Sequence, residues 1–444
     1  MINQEPLLSV GIYEHEAETR GVLNGRFALP DKTALSGEFS VRPDHGNLVL
    51  IWNGGRELAR GPEIRLMPEG KATFTLRGVT IGINFHWERK EDQTFEGGLR
   101  LLPNADGTVT AINDAGVEQY LKSVISSEMS AQAPLELLRA HAITSRSWLV
   151  AMLERQKQLK HVGVPARRGQ ETEAEIIRWY DREDHKLYDV CADDHCQRYQ
   201  GITKIISPAA EQAVRNTRGV FLVHGGEICD ARYSKSCGGR SEVFASAWED
   251  RTVPYLSSVS DAAVEHPPIN SEAAAERWVH SSPEAYCNTT DGSILRQVLP
   301  SFDQETTDFY RWTVTYTQAE LAALLHKRSG IDFGQVRLLQ PLQRGPSGRI
   351  VRLRIVGSRR TVVVGKELEI RRWLSNSHLY SSAFVVQAEG GAHGIPAKFT
   401  LQGAGWGHGV GFCQIGAAVM AARGFQAEQI VKHYFRGAEL KRLY

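Results

Sequence analysis

Residues 107–158, GTVTAINDAGVEQYLKSVISSEMSAQAPLELLRAHAITSRSWLVAMLERQKQ, hold the change of period on which the fold reading rests. Before this stretch short β-type runs alternate with turns. From Leu135 onward apolar residues recur three and four apart, the spacing of one helical face. Pro134 suits the first turn of that helix, where the amide it lacks would find no intrahelical partner. With successive residues turned by about 100°, Leu135, Leu138, Ala142, Arg146, Leu149 and Leu153 fall along one stripe. An arginine therefore sits in the middle of the face that should be buried.

Upstream, GRFALPDKT, GEFSVRPDHGNLVLIWNGG and ATFTLRGVTIGINFHW are short β-type runs separated by turns, which reads as a β-rich region over residues 1–95. The helix belongs to a core segment, 96–261. Residues 262–390 read as a mixed insertion, with SEAAAERWV and TQAELAALLHKR helical and RIVRLRIVG and RTVVVG strand-like, between edges rich in Pro, Ser and Gly. Residues 391–444 are expected to complete the core with a loop, glycine at every second position from Gly403 to Gly411, and two short helices. The expected class is α+β: a β-rich N-terminal region, a mixed core with a central helix, and a mixed α/β insertion.

A chain of 444 residues can bury a sizeable core and has room for two or three domains. Its formal net charge of +1 gives no long-range field for a polyanion, which argues against nucleic acid as a partner. No run approaches the roughly 18 apolar residues of a spanning helix. The start, MINQEPLLSVGIYEHEAETRG, lacks a basic end followed by an apolar core. As it stands the sequence reads as a soluble protein without an export signal.

The six cysteines are too few for a disulfide scaffold of this size. His185, Cys191, His195 and Cys196, spaced His-x5-Cys-x3-His-Cys, offer the donors of a closed tetrahedral zinc site. Neighbouring residues of a strand point to opposite faces, so His195 and Cys196 could share a cation only from a loop. A Cys191–Cys196 disulfide, or two unrelated thiols beside solvated histidines, are the alternatives. A zinc with four protein ligands has no open position for water and would be structural.

Three other stretches carry candidate chemistry. Glu128 lies just ahead of the helix that carries Arg146. A buried guanidinium needs acceptors, so Glu128 is a candidate partner; the plainer reading has Arg146 bracing the core and Glu128 solvated. In CDARYSKSCGGRSE, Tyr233 and Lys235 share strand parity, suited either to sugar hydroxyls or to the outer face of an edge strand. The glycines of GAGWGHGVG allow close backbone approach, and no GxxxxGK[ST] phosphate cradle is present. His408 with Cys413 or Cys237 would suit a thiol hydrolase, although no local nucleophile signature accompanies them.

Taken together and in this order, these motifs resemble the SpoIID/LytB family, the sporulation protein and amidase-enhancer group that acts on bacterial peptidoglycan. The resemblance begins near FEGGLRLLPNADGTVTAIN and is strongest in VEQYLKSVISSEMSAQAPLELLRAHAITSRSWL. It continues through DVCADDHCQRYQG and ARYSKSCGGRSEVFASAWEDRTVPYLSSVSD and closes with GWGHGVGFCQIGAAVMAARGF. The first ninety residues and much of the insertion lie outside it. The resemblance implies a lytic transglycosylase cutting glycan strands stripped of stem peptides, with Glu128 and Arg146 catalytic and Tyr233, Lys235, Ser236 and His408 binding substrate. It also implies structural zinc on His185, Cys191, His195 and Cys196, a location in the cell envelope, and a cell-wall amidase as partner should the chain be a non-catalytic enhancer instead. A single carboxyl group suffices when the muramic acid C6 hydroxyl is the nucleophile, and a 1,6-anhydro sugar is then the product. The chain departs from the family pattern at Ser130, where proline is usual, and at Cys237 and Cys413, where serine-like residues are usual. A contact or disulfide between those two cysteines is expected.

Overall fold

The computed structural model describes residues 2–83, 88–130, 133–162, 169–180, 185–193, 195–205, 207–298 and 308–444. The chain forms two compact units: residues 1–142, 182–220 and 442–444 make the first, and 143–181 with 221–441 the second.

The first unit is built on an eleven-stranded sheet. Its main path runs Val190–Cys191, Leu7–Glu16, Val109–Gly116, Gly98–Pro103, Ile64–Pro68, Thr19–Ala28, Ala34–Asp44, Asn47–Trp52 and Arg56–Gly61, while Thr73–Ile81 pairs with both Thr19–Ala28 and Arg89–Glu96. Alternation gives the sheet an apolar face: Phe74 and Leu76 are buried while Thr73 and Thr75 are only partly so, and Phe74 stacks on Phe95 at 5.3 Å. The β-rich N-terminal reading holds. The sheet also continues beyond residue 95, because Gly98–Pro103 and Val109–Gly116 are interior strands.

The strand Val109–Gly116 runs directly into helix α1 (Val117–Glu128). Val117, Tyr120, Leu121, Val124 and Ile125 repeat at helical spacing and are all buried. Tyr120 stacks on Tyr199 at 5.0 Å. Helix α2 (Leu135–Val162) begins where the period changes in the sequence. Of its expected stripe Leu138, Ala142, Arg146, Leu149 and Leu153 are buried, and Leu135 is half-buried.

The second unit holds a five-stranded sheet, Gly169–Glu171, Glu175–Arg178, Thr361–Gly365, Ile350–Gly357, Val336–Arg344, and a three-stranded one, Arg311–Thr317, Lys398–Ala404, Phe384–Glu389. Trp312, Phe333, Leu353, Trp373, Phe384 and Leu401 belong to its main core. The helix Gln318–Ser329 starts at a capping box, where the Thr317 side chain accepts from the Glu320 amide and Glu320 reaches back to the Thr317 amide. Gly330, at φ 76°, closes it in the left-handed conformation. The stretches read as helical (SEAAAERWV, TQAELAALLHKR) and as strands (RIVRLRIVG, RTVVVG) form those elements. Helices Gln414–Ala422 and Ala427–Tyr434 follow the glycine loop as expected, a strand Glu439–Arg442 comes last, and the α+β class holds.

Candidate functional site

Glu128 is the last residue of α1, half-buried, and its carboxylate accepts a 3.1 Å hydrogen bond from the Arg198 amide. That amide belongs to the loop following Cys196, so the loop that carries the candidate metal ligands also orients the glutamate. The loop is tied down on both sides. The Gln200 amide donates to Ser123 Oγ at 3.0 Å, and Tyr199 donates its hydroxyl to Asn113 Oδ1 at 2.5 Å. At its start, Val190–Cys191 pairs in parallel with Leu7–Glu16, and Asp189 accepts from the amide and hydroxyl of Ser9.

His185, Cys191, His195 and Cys196 converge as the sequence predicts. Their donor atoms all lie within 4.8 Å of one another, a group that can hold a metal ion. Cys196 Sγ is 3.5 Å from His185 Nε2 and 3.6 Å from His195 Nδ1, and Cys191 Sγ is 3.9 Å from His195 Nδ1. Only Cys191 sits on a strand; His195 and Cys196 lie in irregular backbone, as the geometry of adjacent ligands demands. None of the six cysteines is in a disulfide, which removes the Cys191–Cys196 alternative.

The remaining expected site residues belong to the second unit. Arg146 is wholly buried. Tyr233 and Lys235 are half-buried while Ser234 and Ser236 are buried, the alternation their parity predicts, and Tyr233–Ser234 pairs in parallel with Phe412–Cys413. Ser236 is joined to Trp406 by reciprocal backbone hydrogen bonds. His408 packs edge-on to Trp248 at 4.9 Å, and its Nδ1 accepts from the Val410 amide at 3.0 Å. Desolvation, with Arg232, Arg349 and Arg371 nearby, pushes the imidazole down to about 3, so it is neutral at ordinary pH. In GAGWGHGVG the glycines at 405, 407, 409 and 411 all have positive φ. A Cβ at Gly409 would stand 2.3 Å from the guanidinium carbon of Arg349, which is the close approach anticipated for this loop.

The expected contact between Cys237 and Cys413 is present: the Cys237 amide donates to Cys413 Sγ at 3.3 Å. Two further residues, unmarked in the sequence, join it. Cys287 Sγ is 3.8 Å from Cys237 Sγ, and Asp261 completes a second set of donors within 4.8 Å of one another. All four are at most 2% exposed, which leaves neither thiol placed to attack a substrate. Burial pushes Cys287 up to about 12 and Asp261 well above the usual carboxylate range.

Comparison with known proteins places the chain beside a sporulation protein and an amidase enhancer. A family model described as stage II sporulation protein, SpoIID, matches residues 105–224, which include Glu128, Arg146 and the metal-loop residues. A domain of unknown function, DUF8618, matches residues 242–411. Tyr233, Lys235 and Ser236 fall between the two, and His408 inside the second. The chain is 24% identical over 330 residues to stage II sporulation protein D of Bacillus amyloliquefaciens, covering 74% of this chain and 75% of that protein. It is 22% identical to the protein of the same name from Bacillus subtilis, over 74% of this chain and 76% of the relative. It is also 23% identical to the amidase enhancer of Bacillus subtilis over 52% of this chain, spanning 32% of that longer protein.

Proposed function

This chain belongs to the SpoIID/LytB family, and on that premise we propose that it is a peptidoglycan lytic transglycosylase with Glu128 as its single acid and base. The observation that carries the reading is the placement of Glu128: a half-buried carboxylate at the end of α1, held on one oxygen by the Arg198 amide. As acid, Glu128 protonates the glycosidic oxygen; as base, it then takes the proton of the muramic acid C6 hydroxyl as that oxygen closes on the anomeric carbon. The nucleophile belongs to the sugar, so no second carboxylate is required at the distance that paired glycosidase acids keep.

Arg146, wholly buried in the second unit, stays the second catalytic candidate that the family resemblance marks. The half-buried Tyr233 and Lys235 are the substrate-binding candidates, with the neutral His408 offering its ring and Ser236 fixing the backbone through Trp406. The four-donor loop takes a structural zinc. Donor separations of 3.5, 3.6 and 3.9 Å compare with about 3.6 Å for a tetrahedron with Zn–S near 2.3 Å and Zn–N near 2.0–2.1 Å. Bound there by His185, Cys191, His195 and Cys196, zinc would supply rigidity to the loop whose amide holds Glu128.

The test is mass spectrometry of denuded glycan strands incubated with wild type and with Glu128→Gln. Anhydro-muramic ends from wild type, reduced about 10²–10⁴-fold in the variant, support the enzyme. A second reading follows from the amidase-enhancer relative: a non-catalytic module that binds peptidoglycan and stimulates a cell-wall amidase. Absence of product from both proteins, with strand binding retained and amidase turnover raised, would select it.

A further inference from the structure

We propose that Cys237, Asp261, Cys287 and Cys413 form a second metal site, buried in the second unit and independent of the loop site, that takes a thiophilic divalent cation of the zinc class. Residues scattered between positions 237 and 413 bring three sulfurs and one carboxylate within 4.8 Å of one another. The Cys237–Cys287 sulfur separation is 3.8 Å. A tetrahedron with metal–sulfur bonds near 2.3 Å has a sulfur–sulfur edge of about 3.8 Å.

The surroundings resemble the outer shell of a metal site. Tyr434 donates its hydroxyl to one Asp261 oxygen at 2.6 Å, and the Cys287 amide donates to the other at 2.8 Å. Each carboxylate oxygen keeps a lone pair for a cation while its orientation is fixed. The Cys237 amide plays the same part for Cys413 Sγ. Gly416 leaves the space the carboxylate needs, since a Cβ there would lie 2.2 Å from Asp261 Oδ1.

Charge supports a cation at this point. A carboxylate shut away among three sulfurs is costly unless a positive charge meets it. Two guanidiniums stand nearby but spend hydrogen bonds on other groups: Arg311 donates to Gly238 O at 3.2 Å, and Arg349 to Cys237 O at 3.1 Å and Ser347 Oγ at 2.9 Å. They offset the excess negative charge of a metal bound by thiolates without reaching the donors' centre. A disulfide would use two sulfurs and leave the third beside an unrelieved carboxylate. Five of the six cysteines, all but Cys229, fall in the two donor groups, a concentration expected when donor count and not packing decides where cysteine stands. Four protein ligands leave no position for water, so the site is structural, and binding releases the thiol protons to solvent.

The full chain, purified without chelator, is tested by elemental analysis and by cobalt(II) reloading, read by thiolate charge-transfer absorption. Wild type should hold about two equivalents of metal. The loop variant Cys191→Ser/Cys196→Ser and the inner variant Cys287→Ser/Cys413→Ser should each hold about one. The cobalt signal left in the loop variant, from three thiolates, should exceed that left in the inner variant, from two. If the inner variant does not fold, the loop variant decides: one remaining equivalent supports the site. A wild type with one equivalent that the loop variant loses entirely overturns it, as does a disulfide among Cys237, Cys287 and Cys413 in peptide maps of the native protein.

Discussion

The two donor clusters use the same chemistry with opposite topology. The loop cluster gathers its ligands from residues 185–196, with only Cys196 of the four buried. The inner cluster gathers its own from across the second unit, every one of them buried. A local cluster organises a loop, and here the loop reaches Glu128 through the Arg198 amide. A dispersed cluster ties distant segments together and acts first on stability. The comparison predicts that breaking the first costs activity and breaking the second costs the fold.

The largest effect expected from the loop is on turnover. In Cys196→Ala the site loses one of four donors, the following residues lose their anchor, and Glu128 loses the fixed amide at its carboxylate. Displacing a catalytic group by about 1 Å can cost about 10²-fold. Anhydro-muramic product should fall by that order while the second unit keeps its metal equivalent. Unchanged turnover in a loop variant shown to be metal-free would break the link between the loop and Glu128.

The contrast also separates what the sequence discloses from what it hides. The loop cluster is legible because its donors lie within one short stretch, and adjacent ligands require irregular backbone, which is what residues 192, 193 and 195–199 adopt. Helix α2 is legible from the stripe beginning at Leu135, including its buried arginine. Helix α1 carries an equally clear signal, Val117, Tyr120, Leu121, Val124 and Ile125, at helical spacing; placing the start of helix at Leu135 passes over it. Cys237 and Cys413 stand out as departures from a family pattern, so their contact could be anticipated. Asp261 and Cys287 had no such mark. Their roles exist only once the chain has folded, because nothing in SVSDAA or AYCN specifies what the other approaches.

A stability test on the inner cluster comes through its brace. Arg349 is wholly buried and donates to the carbonyls of Cys237 and Gly407 and to Ser347 Oγ, whose hydroxyl in turn donates to Glu242. Gly409, at φ 72°, passes against that guanidinium. Gly409→Ala adds a side chain in a left-handed conformation and displaces a buried charge. The expected loss is about 3 kcal/mol in denaturant unfolding, with the inner metal equivalent reduced and the loop equivalent intact. Equal loss of both metals would show that the clusters do not respond separately.

The smallest predicted effect lies on the same glycine loop and is seen only as pH falls. His408 titrates near about 3 in the folded chain, against an ordinary value of 6.5, because it is desolvated and faces Arg232, Arg349 and Arg371. Between those values the unfolded chain binds the extra proton, so stability contributed by the neutral ring is complete above pH 6.5 and declines as pH drops towards 3. The decline should be about 1 kcal/mol between pH 6 and pH 5. Protonation at Nδ1 would also set an N–H against the Val410 amide that this atom now accepts. His408→Asn keeps an acceptor at the corresponding position and does not titrate, so its unfolding midpoint should vary less over that interval than that of wild type. An undiminished acid slope in the variant would assign the pH dependence to other groups and leave the GWGHGVG loop a purely steric brace.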